Sequence, residues 1–174
     1  KQAGADIKFI TQLGNDTFGE NLKIYFKNLG FDEKYILTDN NNHSGIAHIF
    51  VSKKGENSIA VAAGSNGTLT FEKIEPFIND IAKASLVLIQ FEIPLQTILS
   101  IIDYCNKKSV KVIVNPAPAI KLPKTIFKKI WMITPNETEL ELLTGISISN
   151  EKSVLEAAKI ILDQGVEHCL VTLG

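Results

Sequence analysis

Short apolar runs that alternate with helix-like stretches constrain the fold of this chain more than any other feature. The runs lie at residues 86–89, 110–114, 130–134 and 169–173. Apolar runs of four or five residues are typical of strands that are covered on both faces, and the stretches between them repeat their apolar residues with a helical period. The sequence therefore predicts an α/β fold, a mostly parallel sheet with helices on both faces, built from right-handed βαβ units.

Helix start and stop signals fill the gaps between these runs. Pro94 suits a first helical position, and Gly145 and Gly165 suit the ends of two later helices. Three helices are predicted here: one from Pro94 to Cys105, one over 136–143, and one capped by Ser149 or Asn150.

The first third of the chain departs from this regular alternation of strands and helices. Strands are predicted at 7–10 and 35–38, with a helix between them that starts at Asn15-Asp16-Thr17 and ends at Gly30. Residues 46–52 and 58–62 then read as the two strands of a β-hairpin, either an antiparallel edge or a small projecting element. No linker separates two domains, so residues 1–174 are expected to form one partial α/β domain with 43–62 as part of a β lid.

Composition excludes several classes of protein. The chain has 174 residues, is 45% hydrophobic and carries a formal net charge of −1, which argues against a nucleic-acid partner. No apolar run is long enough to cross a membrane, and no signal peptide is expected at residues 1–6 because they include no apolar stretch. Cys105 and Cys169 read as small buried hydrophobic residues, so a cytoplasmic location is expected.

All 18 basic residues are lysines. A phosphate would therefore be held by Lys, by backbone amides or by a metal, because the chain has no guanidinium group. The Walker A and Rossmann dinucleotide patterns are both absent from the sequence, so neither nucleotide motif is expected.

Ligands of open α/β sheets bind beyond the carboxyl ends of the strands, so the residues that follow each strand are the candidates. Glu92 follows the run at 86–89, and Asn115 follows the run at 110–114. Glu92 is either a helix-start acid, favoured by about 0.3–1 kcal/mol, or a carboxylate that binds a polar substrate. Asn115 is either part of a rigid turn or a ligand-facing residue.

The segment after the run at 130–134 has two interpretations. Asn136 and Glu139 have the spacing of a capping box, which alone would explain both residues. A helix N-terminus also suits a phosphate, and a carboxylate there could bind Mg²⁺ through its water shell. Thr172 lies at the end of the run at 169–173 and Gly174 directly follows it. They are either simply a strand end or could offer a hydroxyl, an amide and a close backbone approach.

Several blocks together resemble the ribokinase-like (PfkB-type) carbohydrate kinases. Gly14-Asn15-Asp16-Thr17-Phe18-Gly19 resembles the family's first block region, and the lid segment resembles its substrate-covering hairpin. Three further blocks follow in the family's order, Gln90-Phe91-Glu92-Ile93-Pro94, Asn115-Pro116-Ala117-Pro118-Ala119 and Thr134-Pro135-Asn136-Glu137-Thr138-Glu139. The resemblance spans essentially the whole chain.

The resemblance implies a role for each matching residue. It implies that Glu92 binds the sugar and that Ile49, on the lid, packs over it. It implies that Asn136, Thr172 and Gly174 bind ATP, and that Glu139 helps to place Mg²⁺. A monovalent cation such as K⁺ is left open.

The activity that the resemblance implies is transfer of the γ-phosphoryl group of ATP to the 5-hydroxyl of D-ribose. Kinases of fructose, another sugar or a nucleoside stay open, as does a non-catalytic α/β binding module. The family's glycine-rich sugar block is expected upstream of Lys1, and its catalytic base downstream of Gly174, so no catalytic residue is named and the chain alone is expected to be inactive. The resemblance also implies a homodimer through the lid hairpin.

Overall fold

A computed structural model describes residues 4–53, 55 and 57–173 of the chain. The chain divides into two compact units, Lys1–Leu69 and Thr70–Gly174. The expectation of one partial domain stays a prediction, because two compact units can belong to one domain. No helix in the described part of the chain is long and apolar enough to cross a membrane.

The first unit is built on a short parallel strand pair. Strand β1 (Thr11–Gly14) pairs with β2 (Ile36–Asp39), with Thr11 opposite Ile36. Helix α1 (Thr17–Asn28) and a 3₁₀ turn, Glu33–Tyr35, connect them. The strand predicted at 7–10 is wrong, because the backbone pairs with β2 only from Thr11 onward.

Helix α1 begins and ends as the sequence predicts. Asp16 is the N-cap, and Gly30 follows the helix with a φ of 76°. Only Gly19 of its residues is buried, whereas Phe18 is 62% exposed. Its apolar stripe therefore stays partly uncovered.

The predicted hairpin is confirmed as an antiparallel pair. Strand β3 (Ile46–Val51) pairs with β4 (Asn57–Ala62), and Ile49 lies opposite Ile59. A 3₁₀ turn, Gly64–Thr68, follows β4 and packs against β1.

Gly19 shows how tightly the first unit packs around the start of α1. Within a helix, Gly→Ala is ordinarily stabilising by about 0.5–1 kcal/mol. A Cβ at Gly19, however, would overlap the backbone carbonyl of Gly14, which cannot move aside without shifting β1. Gly19→Ala is therefore expected to lower the free energy of unfolding by about 1–3 kcal/mol, measured by urea denaturation.

Gly67→Ala is the matched control for this substitution. A Cβ at Gly67 would meet the Ala63 Cβ at 3.4 Å, an ordinary contact. Its expected change is within about 0.5 kcal/mol. A Gly19→Ala variant more stable than wild type would contradict the close packing of Gly19 against the Gly14 carbonyl.

The second unit contains a four-stranded parallel sheet in the order β5-β6-β7-β8. This confirms the α/β class. The strands are β5 (Leu86–Ile89), β6 (Lys111–Val114), β7 (Met132–Ile133) and β8 (His168–Cys169). The last two are shorter than the predicted runs.

Helices lie before and between these strands. They are α2 (Phe71–Ile74), α3 (Ile78–Ala82), α4 (Leu95–Lys107), α5 (Lys124–Phe127), α6 (Glu137–Thr144) and α7 (Glu151–Asp163), with a 3₁₀ turn, Glu75–Phe77, between α2 and α3. Their buried residues join those of the sheet in one core, whose fully buried members include Ile98, Ile102, Val112, Val114, Ile133, Leu140 and Ile161.

Two elements of the second unit leave large apolar residues exposed. Helix α7 buries Ala157 and Ile161, whereas Leu155 is 64% exposed. Strand β5 was expected to be covered on both faces, yet Leu88 is 67% exposed. One face of β5 is thus open among the described residues.

Both cysteines are free thiols. Cys105 is fully buried in α4, and burial raises the pKa of its thiol to about 11. Cys169 is half-buried in β8, and burial also raises its pKa. Both thiols therefore stay protonated near neutral pH and act as small packing residues.

Candidate active site

The carboxyl edge of the second unit's sheet gathers the predicted site residues of that unit. The Asn115 amide donates to the Ile89 carbonyl at 3.0 Å, and the Phe91 amide donates to the Ala117 carbonyl at 2.8 Å. The loops that follow β5 and β6 therefore run side by side. Glu92 comes directly after Phe91 and so stands at this edge.

The structure bears on the interpretation of Glu92 as a helix-start acid. Helix α4 has Pro94 at its N-cap, no side-chain capping bond and no acidic residue in its first turn. The Glu92 side chain is exposed, and its carboxylate makes no hydrogen bond within the described ranges. Helix capping therefore does not explain Glu92, and its carboxylate is available to a ligand.

The predicted capping box at the start of α6 is confirmed. Asn136 Oδ1 accepts from the Glu139 amide at 2.8 Å, and Glu139 Oε2 accepts from the Asn136 amide at 2.9 Å. Asn136 Nδ2 also donates to Glu139 Oε1 at 3.1 Å. Asn136 is exposed, whereas Glu139 is only 8% exposed. We call this hydrogen-bonded pair the rim; its Asn136 side faces solvent.

Thr172 joins this rim through the backbone. Asn136 and Thr172 form an isolated parallel bridge, and the Thr172 amide donates to the Pro135 carbonyl at 3.0 Å. Thr172 is exposed beside the N-terminus of α6. Gly174, the other predicted nucleotide residue, lies outside the described residues.

The sheet spaces these groups along one edge. Glu92 follows β5 and Asn136 follows β7, with β6 between them. Adjacent strands lie about 4.8 Å apart, so the two strand ends are separated by roughly 10 Å. A small polar substrate near Glu92 and an anion at the α6 N-terminus would therefore lie next to each other.

The residues present do not form a direct metal site. Within the described residues, no group of three or more His, Cys, Asp or Glu side chains is placed to hold a metal ion. Both carboxylate oxygens of Glu139 already accept hydrogen bonds from Asn136. A carboxylate keeps further lone pairs, so Glu139 fits a hydrated Mg²⁺ held through its waters better than a bare ion.

Ile49 lies in the first unit, on the exposed hairpin. It shares one face with Ile59 and Val61, and these side chains are 62%, 54% and 57% exposed. The predicted apolar covering residue is thus available at the surface of its own unit.

Asp16 has a second role that the sequence did not reveal. Its carboxylate accepts from the Gly19 amide at 2.7 Å, as a helix cap should. It also accepts from Ser44 Oγ at 2.8 Å and from the Ser44 amide at 2.6 Å. The capping spacing is visible in the sequence, but the bond to a residue 28 positions away is not.

Comparison with known proteins gives this arrangement a family. The model of the pfkB family carbohydrate kinases matches residues 1–174, the whole chain. The chain belongs to this family.

Individual relatives of the family agree with this assignment. A ribokinase of Haemophilus influenzae is 38% identical over 98% of this chain and 56% of its own length. A deoxyribokinase of Salmonella typhi is 32% identical over 97% of this chain and 55% of its own length. The solved structure of an Arabidopsis thaliana ribokinase complexed with ribose and ATP has a TM-score of 0.85 at 27% identity, covering 96% of this chain and 55% of that one. The chain spans about half the length of the curated relatives it matches.

These findings confirm the predicted family and its fold. The binding roles of individual residues stay predictions. These residues are Glu92, Ile49, Asn136, Glu139 and Thr172.

Asp16 provides a pH-dependent test of the first unit. Hydrogen bonds from the Gly19 amide, then from Ser44, lower the pKa of this carboxyl below its ordinary 3.8, with a smaller contribution from nearby His43. Because the folded pKa is lower than the unfolded one, the stabilisation is present above about pH 4 and is lost as the pH falls through the folded value. Wild-type stability is therefore expected to fall more steeply below about pH 4 than that of Asp16→Asn.

Urea denaturation at a series of pH values measures this difference. Asp6→Asn, at an exposed position, is the control and should follow the wild-type curve. Parallel curves for wild type and Asp16→Asn would contradict the assignment.

Proposed function

We propose that this chain is part of an ATP-dependent kinase that transfers the γ-phosphoryl group to the 5-hydroxyl of D-ribose. One observation carries the proposal. Glu92 is exposed and does not cap α4, and it lies on the same sheet edge as the Asn136–Glu139 rim and Thr172. The 38% identity to a ribokinase supports ribose as the substrate.

Glu92 would bind the sugar in this scheme. An ionised carboxylate accepts hydrogen bonds from sugar hydroxyls, and such charge-assisted bonds are stronger than neutral ones. Because no described group competes for the Glu92 carboxylate, it is ready to accept them. Binding at a fixed position next to the nucleotide converts phosphoryl transfer into an oriented, unimolecular step.

The rim at the start of α6 would receive the phosphates of ATP. Asn136 and Thr172 present polar groups beside free helix amides, where the helix dipole favours an anion. Glu139 would hold Mg²⁺ through water, and the metal would neutralise charge on the phosphates. The proposal includes a monovalent cation such as K⁺ as an activator of the kinase, which an assay with and without K⁺ would test.

The hairpin would close the site. Ile49 would place an apolar side chain over the sugar and exclude water, which suppresses hydrolysis of ATP. We assign no catalytic base among the described residues. The free, protonated thiols agree with a cytoplasmic location, which we also propose.

The decisive experiment is an assay of ribose-dependent ADP release by the full-length protein with ATP and Mg²⁺. We expect turnover with D-ribose to exceed turnover with 2-deoxyribose, fructose or a nucleoside. The 32% identity to a deoxyribokinase makes 2-deoxyribose the sharpest competitor. Activity confined to another substrate would reject ribose, and binding without turnover would favour a non-catalytic module.

We further propose that the protein forms a homodimer through the hairpin. The face that carries Ile49 also exposes Val51, Ile59 and Val61, more apolar surface than one sugar would cover. A two-stranded hairpin is marginally stable alone, so packing against the same face of a second copy would stabilise it.

Sedimentation velocity of Ile59→Lys tests the dimer. Ile59→Lys is expected to shift the protein to monomer at micromolar concentration, since a lysine would be buried in the contact. Ser58→Lys, on the opposite face of β4, is the matched control and should stay dimeric. A wild-type monomer would reject the proposal.

A further inference from the structure

Both stems of the β3–β4 hairpin are held by β1 and by Asp16, which follows it. The first stem is Ser44–Gly45, which leads into β3, and the second stem is Ala63–Ser65, which follows β4. Ser44 is 1% exposed and Ser65 is fully buried, whereas the strands of the hairpin are mostly exposed. The hairpin is therefore an exposed arm with a buried, polar base.

The first stem depends on one carboxylate. Asp16 Oδ2 accepts from the Ser44 amide at 2.6 Å, and Asp16 Oδ1 accepts from Ser44 Oγ at 2.8 Å. The Ser44 hydroxyl oxygen accepts in turn from the Gly14 amide at 3.1 Å. Asp16 thus joins the end of β1, the start of α1 and the first stem.

The second stem is held by neutral, reciprocal bonds. Gln12 Nε2 donates to the Ser65 carbonyl at 2.7 Å, and Ser65 Oγ donates to the Gln12 carbonyl at 3.1 Å. Gln12 Nε2 also donates to Thr68 Oγ1, which in turn donates to Asp39. Several groups share this anchor, so removing one contact leaves the others in place.

The two stems also meet each other closely. The Ser65 amide donates to the His43 carbonyl at 2.8 Å. A Cβ at Gly45 would lie 2.9 Å from the Ala63 carbonyl oxygen, and a Cβ at Gly64 would overlap the His43 carbonyl. The two stems therefore pack against each other, so that a shift of the first stem would also disturb the second.

We infer that Asp16 is a positioning residue for the sugar-covering hairpin. In this inference it acts through its hydrogen bonds to Ser44. This inference rests on the proposed function for its kinetic consequence, whereas its structural consequence can be measured without any activity.

Asp16→Asn separates the two roles of this side chain. Asn is as good an N-cap as Asp, so its oxygen can still accept from the Gly19 amide. Its Nδ2 group, however, would face the Ser44 amide, and two donors cannot bond to each other. The substitution therefore removes the hydrogen bond from the Ser44 amide, while the bonds that Oδ1 accepts from the Gly19 amide and from Ser44 Oγ are kept.

Amide hydrogen exchange in the full-length protein gives the first readout. Asp16→Asn is expected to raise exchange at 44–47 and 61–65 by about tenfold, the loss of one charge-assisted hydrogen bond, while β1 and α1 change less than about twofold. Asp32→Asn is the matched control. Asp32 caps the 3₁₀ turn at the amino end of β2, away from the stems, and its substitution should leave the hairpin unchanged.

Steady-state kinetics gives the second readout. We expect Asp16→Asn to raise the KM for ribose about tenfold, with the KM for ATP within about twofold of wild type. Asp16→Ala, which also loses the cap, should add a loss of overall stability. Faster exchange throughout the first unit, or an unchanged hairpin in Asp16→Asn, would overturn the inference. A wild-type protein that does not phosphorylate ribose would reject the proposed function, and the exchange result would still decide the role of Asp16.

Discussion

Glu92→Gln is expected to raise the KM for ribose about 10- to 100-fold in the full-length protein, because the loss of charge-assisted hydrogen bonds costs about 1.5–3 kcal/mol. The carboxylate makes no bond within the described ranges and does not cap α4, so its replacement removes no internal contact. The free energy of unfolding should therefore change by less than about 0.5 kcal/mol. Coupled assays of ADP release and urea denaturation measure the two quantities.

Glu151→Gln is the matched control for Glu92. Glu151 is likewise an exposed glutamate at the start of a helix, but it lies in the first turn of α7. Its replacement should leave the KM for ribose unchanged. If Glu92→Gln lowered stability and left the KM for ribose at the wild-type value, a structural role for Glu92 would be the better explanation.

Local patterns predicted the second unit well. The apolar run at 86–89 became β5 with the predicted bounds, and the Asn136–Glu139 spacing became a capping box. Both outcomes depend on residues a few positions apart, where periodicity and capping chemistry act directly.

The first unit shows where local patterns fail. Ile7–Ile10 looks more strand-like than Thr11–Gly14, yet the second segment forms β1. The deciding contacts are long-range, because Gln12 is 2% exposed and bonds Ser65 and Thr68, more than fifty residues away. A buried glutamine in a polar network has no periodicity, so the sequence alone predicts such a residue at the surface.

The members of the candidate site stay predictions from the sequence, whereas their exposure and their hydrogen bonds come from the structure alone. For Glu92 the sequence leaves a helix-start acid and a substrate-binding carboxylate open, and only the structure shows that it lies outside the first turn of α4 and does not cap it. The hydrogen bonds between Asp16 and Ser44 join two segments that are 28 residues apart, and no local sequence pattern relates them. A residue that acts through a partner far away in the sequence can therefore be identified only from the structure.

The two capping boxes of the second unit allow the role of the α6 rim to be measured. Asn136 and Asn150 are both N-caps whose side chains accept from the backbone three residues on. Asn136→Ala and Asn150→Ala should each lower the free energy of unfolding by about 0.5–2 kcal/mol. Only Asn136→Ala is expected to raise the KM for ATP as well, since Asn150 lies at the start of α7.

Glu139→Gln is expected to have the larger effect on the nucleotide. It is nearly isosteric, but it removes the charge that would hold hydrated Mg²⁺, and residues that act on a metal through its outer shell typically contribute about 10- to 100-fold to affinity or activity. We expect kcat/KM for ATP to fall by that amount, and the Mg²⁺ concentration that gives half-maximal rate to rise. Gln at this position can still accept from the Asn136 amide, and Ser153→Ala, at the equivalent position of the α7 capping box, shows the effect of losing such a cap outright. Equal Mg²⁺ dependence in the Glu139 and Ser153 variants would show that the Asn136–Glu139 pair serves the helix alone.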